Sequence, residues 1–173
     1  MRRLFWLSIL LFVTLGCGFL SGAESDPVVE VADDDPEMIV AIDEARNTLY
    51  FFLENFQSPK PNQTYFSIKA RFPYGADNHE HMWIDDLIFS GQEFSGILGN
   101  DPRYVLDLKY GDKVTVNVSD VTDWMIVENG KLIGGYTLRV LRNRMSPAEQ
   151  EKFDAQTGLV VDSNATPIPT AIR

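Results

Sequence analysis

Between His81 and Trp124 the chain runs through short alternating apolar and polar segments separated by turn residues, and no other feature constrains the fold as much. Every second residue of a strand shares one face. The runs Glu80 to Phe89, Glu93 to Leu98 and Lys113 to Val118 therefore read as antiparallel strands. Ser90-Gly91-Gln92 makes a tight hairpin, and Gly96 marks a bulge or a close backbone approach. Gly99-Asn100-Asp101-Pro102 breaks the sheet, Tyr104 to Leu108 is a short turn or helix, and Gly111-Asp112 turns the chain back. Upstream, Phe66, Ile68, Ala70 and Phe72 alternate with Tyr65, Ser67, Lys69 and Arg71, which predicts a half-buried strand over Thr64 to Phe72. Downstream, Asn129-Gly130 accepts the positive φ of a type I′ turn and joins Asp123 to Val127 with Lys131 to Ile133.

An apolar sheet face needs a cover. Met38, Ile42, Ala45, Leu49, Phe52 and Phe56 recur at steps of four and three, the stripe of an amphipathic helix of about five turns. Asp35 can cap its first amides, Pro36 suits its first position, and Pro59 and Pro61 end it. Tyr136 to Arg144 reads as a basic helix packing through Leu138 and Leu141, and Ser146-Pro147-Ala148-Glu149 caps a short final helix. From Gln156 the composition predicts a disordered tail. The expected fold class is α+β: an N-terminal helix on a strongly bent antiparallel sheet of five or six strands, SH3-like or a partly open barrel, closed by a C-terminal helix.

The N-terminus is of another kind. Arg2 and Arg3 precede the apolar run Leu4 to Leu15, and Ser21-Gly22-Ala23 offers the small residues a signal peptidase reads. Residues 1–23 are thus expected to be a secretory leader, 24–33 an acidic tether, 34–145 the folded domain, and 146–173 a short helix and tail. Cys17, the only cysteine, sits inside the leader after Leu15-Gly16. Two fates are open: lipidation as in a bacterial lipoprotein, although Thr14 stands where such motifs usually place Leu, or removal with the leader after Ala23. Either way the domain is expected outside the cytoplasm, periplasmic or secreted, touching membrane only through a lipid at Cys17. With no cysteine pair, it must hold together by packing.

A formal net charge of −10 and the lack of a basic cluster argue against nucleic acid. No serine sits in a Gly-x-Ser-x-Gly elbow, and Gly134-Gly135 lacks the spacing of a phosphate loop. No cofactor is expected. Asp85, Asp86, Asp120 and Asp123 offer carboxylates for acid–base work, but Asp120 and Asp123 more simply cap turns. His79 and His81, the only histidines, share strand parity with each other and with Asp85, so all three can face one metal ion.

The segments Asp34-Asp35-Pro36-Glu37-Met38, His81-Met82-Trp83, Asn100-Asp101-Pro102, Gly111-Asp112, Ser119 to Met125 and Gly134-Gly135-Tyr136-Thr137 occur in one order over residues 33 to 144. Together they resemble the YegJ-like bacterial family, a domain of unknown function numbered 2314. The resemblance implies no activity, cofactor or catalytic residue. The remaining chemistry is recognition. Trp83, Trp124, Tyr65, Tyr104, Tyr110 and Tyr136 supply amphipathic rings that a curved sheet can gather into a groove, with the two indoles close together. The leading expectation is a non-enzymatic binding domain using the face near Trp83, Asp101, Asp123 and Trp124, for a protein or small ligand in the cell envelope. The alternative is a metal-dependent hydrolase using His79, His81 and Asp85. Arg139, Arg142 and Arg144 are expected either to meet an acidic partner or lipid head groups, or to complement the dipole of their own helix.

Overall fold

The computed structural model describes residues 35–162 and 168. The expected leader, tether, Cys17 and most of the tail lie outside the described residues. Helices α1 (Pro36–Asn47) and α2 (Leu49–Gln57) precede strands β1 (Gln63–Tyr74), β2 (Asn78–Phe89), β3 (Glu93–Leu98), β4 (Lys113–Asn117), β5 (Val121–Glu128) and β6 (Lys131–Gly134). A 3-10 turn at Val118–Asp120 leads into β5, and α3 (Tyr136–Arg144) and α4 (Pro147–Thr157) follow β6. Every strand pair is antiparallel, in the order β4-β3-β2-β1-β5-β6. The sheet is bent but open, so the fold is α+β.

Alternation places Ile68, Ala70 and Phe72 of β1, Met82 and Ile84 of β2, Phe94 and Leu98 of β3, and Trp124 and Ile126 of β5 on one buried face. Ala45, Leu49 and Phe52 of the first two helices cover it. Phe52 sits at the centre, with ring contacts to Phe56, Phe66, Phe94 and Trp124. Burying a side chain of this size stabilises by about 1.5–3 kcal/mol. Burial would strand the indole N–H of Trp124, and it donates instead to the Ala45 carbonyl at 2.9 Å.

The single helix expected over Met38 to Phe56 is two. Thr48 leaves helical geometry at φ −108°, ψ 3°, and its hydroxyl donates to the Glu44 carbonyl at 2.7 Å. Such back-bonding by a β-branched residue bends a helix. The same hydroxyl lies 2.8 Å from that of Tyr136, so the joint is also where α3 docks. Asp35 caps as expected, accepting from the amides of Glu37 and Met38.

Two glycine readings hold. Asn129 and Gly130 turn with φ 52° and 76°. At Gly96 an added Cβ would run into the Asp85 carbonyl, where β2 shifts register against β3. Two readings near the C-terminus change. In α3 the buried residue is Thr137, while Leu138 and Leu141 are half-buried. The chain also stays ordered past Gln156: α4 runs to Thr157, and Val160 bridges Lys131 in parallel, donating to Gly130 and accepting from Leu132.

Candidate functional site

On the sheet face away from α1 and α2, Lys69 of β1 pairs in register with Trp83 of β2 on one side and Asp123 of β5 on the other. The Lys69 ammonium lies 5.5 Å from the centroid of the Trp83 ring and 3.3 Å from the Thr137 hydroxyl. Asp123 is fully buried. Its Oδ1 accepts from the amides of Trp124 and Tyr136, and its Oδ2 from the amide and hydroxyl of Thr137. Gly135, in left-handed geometry at φ 62°, offers α3 no capping side chain, and Asp123 supplies the cap from the neighbouring strand. Burial pushes the Asp123 carboxyl above its ordinary value, opposed by the Thr137 hydroxyl and the Lys69 charge. Burial likewise pushes the Lys69 ammonium down, opposed by Asp123. Asp123 is therefore a structural anchor below the face rather than a ligand group on it.

The two tryptophans do not share a groove. Trp83 pairs with Lys69 and Trp124 with the adjacent Ile68, so the indoles point to opposite faces of the sheet. Trp124 is sealed in the core, and Trp83 stays half-exposed. Beside Trp83, the Asp85 carboxylate accepts from the hydroxyls of Tyr65 at 2.5 Å and Ser67 at 2.7 Å.

Trp83 also ties the sheet to the loop of residues 99–112. Its amide donates to Asn100 Oδ1 at 2.7 Å, and its carbonyl accepts from the Gly99 amide. Asp101 stands exposed on this loop. Farther along, the Glu80 carboxylate takes three successive amides, of Arg103 at 2.7 Å, Tyr104 at 2.9 Å and Val105 at 3.0 Å. The Tyr104 ring stacks on Tyr74 with centroids 4.8 Å apart, and the Arg103 guanidinium sits over it. Gly111 donates to the Leu98 carbonyl, and Leu98 to that of Asp112, closing the base. From this braced loop Leu106 projects 85% exposed and Tyr110 64% exposed.

The metal reading finds no cluster. Among the described residues no group of three or more His, Cys, Asp or Glu side chains is placed to hold an ion. His79 and His81 share a face as expected, but His81 Nδ1 lies 3.0 Å from the Thr122 hydroxyl, while Asp85 is engaged by Tyr65 and Ser67. Both histidines instead line a cavity of about 320 Å³ between α1 and the projecting ends of β1 and β2, with Arg46 and Arg71.

The basic stripe of α3 is engaged within the molecule. Arg139 donates to the carbonyls of Leu132, Gly134 and Asp162, Arg142 pairs with Asp154, and Arg144 forks onto both Asp35 and Glu37. Sequence reasoning passed over Glu80, Lys69, Thr137 and Leu106. For Leu106 one signal was present: a large apolar residue between two tyrosines, in a segment bounded by Pro102 and Gly111, with no strand parity to bury it.

The YegJ protein of Escherichia coli strain K12, described only as uncharacterized, is 33% identical over 155 residues, covering 90% of this chain and 97% of that one. A Neisseria meningitidis serogroup B protein named "Putative ankyrin repeat protein NMB1133/NMB1171" is 33% identical over 142 residues, or 78% of this chain. The match spans only 56% of that longer relative. No solved structure matches the chain. The family model described as "Uncharacterized protein conserved in bacteria (DUF2314)" matches residues 35–161, nearly all of the described fold, and the chain belongs to that family.

Proposed function

We propose that this is an exported, non-enzymatic recognition domain that docks a protein partner in the cell envelope through the loop of residues 99–112 and the Trp83 ledge beside it. The observation that carries this reading is the pair Leu106 and Tyr110, 85% and 64% exposed on a loop braced by Glu80. A flexible loop hides such side chains by collapse, whereas a braced one holds them out and spends less entropy on binding. Aromatic anchors on a fixed frame are what interfaces use. Export rests on the leader, with Arg2 and Arg3 before the apolar run Leu4 to Leu15 and small residues at Ser21-Gly22-Ala23. The domain is then tethered through Cys17 or released after Ala23.

Affinity capture from envelope extract tests the docking surface. Wild-type protein and an Ile88→Asp control, altered at an exposed site on β2, are expected to retain the same partner. Leu106→Asp and Tyr110→Ser are expected to lose it. Equal recovery with all four proteins contradicts the assignment.

A further inference from the structure

The cavity between α1 and the ends of β1 and β2 has a composition of its own, although His81 and Arg71 share the strand parity of Trp83 and Lys69. Two guanidiniums border it, and each is anchored by Nε: Arg46 donates to the Val121 carbonyl at 3.1 Å, and Arg71 to Asp120 Oδ1 at 3.0 Å. Anchoring at Nε fixes the plane of a guanidinium while leaving its Nη donors, the fork that matches a carboxylate. His79 and His81 stand on the same wall. Asp43 from α1 and Asp77 from the β1–β2 turn supply negative charge, and Ile39 and Ile42 supply apolar surface, Ile39 being 45% exposed. The volume of about 320 Å³ falls at the small end of ligand sites.

A site for a simple anion has no use for Asp43 and Asp77, and a site for a cation has none for the two arginines. The geometry points to a binding site for a small amphoteric molecule of the amino-acid class. Its carboxylate meets Arg46 and Arg71, its ammonium meets Asp43, and a short aliphatic body lies on Ile39 and Ile42.

Calorimetry on the full chain with three probes decides it: L-norvaline, pentanoate, which lacks its ammonium, and butylamine, which lacks its carboxylate. Norvaline is expected to bind saturably and each half-molecule at least about tenfold more weakly. Arg46→Gln and Asp43→Asn are each expected to lower norvaline affinity by about tenfold or more, with Arg46→Lys recovering part of the loss. Asp43 is exposed, so its variant keeps the fold even if loss of the Arg46–Val121 bond loosens α1. Norvaline should also shift the imidazole NMR signals of His79 and His81. Pentanoate binding as well as norvaline, no saturable binding by any probe, or undiminished binding in Asp43→Asn each overturns the proposal.

Discussion

Replacing Trp124 by alanine removes an indole that is wholly buried, touches Phe51, Phe52 and Tyr136, and donates to Ala45. The cavity and the orphaned carbonyl should cost about 3–5 kcal/mol, read as a lower urea midpoint in equilibrium unfolding. Gly134 makes the same point from the backbone side. Its φ is +73°, and an added Cβ would strike the carbonyl and the six-membered ring of Trp124, so Gly134→Ala should destabilise by well over about 1 kcal/mol. At Leu106, by contrast, an aspartate buries nothing new. Leu106→Asp is expected to leave the unfolding free energy within about 0.5 kcal/mol of wild type. A large apolar side chain thus has opposite weight in the core and on the loop.

At the scale of elements, the amides of residues 103–105 in the loop of residues 99–112 are held by one side chain from β2, Glu80. Glu80→Gln halves the acceptor capacity that holds three amides and removes the charge that strengthens those bonds. Hydrogen exchange at Arg103, Tyr104 and Val105 should accelerate, while protection in β1 and β5 stays unchanged. Uniform acceleration would mean that Glu80 supports the whole fold instead. Much at this scale was legible beforehand, because periodicity acts within an element: the strands, the Asn129-Gly130 turn, the Asp35 cap and the capping box at Ser146 all appear where their residues predict. The break at Thr48 was not, because the apolar stripe continues across it from Ala45 to Leu49 while a single residue leaves helical geometry.

For the whole molecule, register and long-range pairing lay beyond what alternation can say. Alternation shows that Trp83 and Trp124 each face one side of their own strand. Whether those sides coincide depends on the pairing of Lys69 with Trp83 and of Ile68 with Trp124, which sets them on opposite faces. The three arginines of α3 read as an available surface because their partners, from Asp35 to Asp162, come together only in the folded chain. Among these pairs, the Arg144 fork joins the end of α3 to the start of α1. Its hydrogen bonds hold the Asp35 carboxyl at about 2, below the ordinary 3.8. A depressed carboxylate stabilises the fold above its unfolded value and loses that contribution as pH falls through the folded value. Asparagine also caps a helix, so Asp35→Asn removes the charge and keeps the cap. The difference in melting temperature between wild type and Asp35→Asn should be constant at neutral pH and shrink between about pH 4 and 2. A gap independent of pH would remove the clamp from the acid stability of the protein.

Site-specific photo-crosslinking in living cells measures most directly whether the braced loop is a docking surface. A crosslinking residue in place of Leu106 should trap one discrete partner, and the same residue at Thr115, exposed on edge strand β4, should not. The Glu80→Gln background should weaken the Leu106 adduct. Adducts of equal yield from both positions, or none from Leu106 in cells that carry the folded protein, would contradict the account.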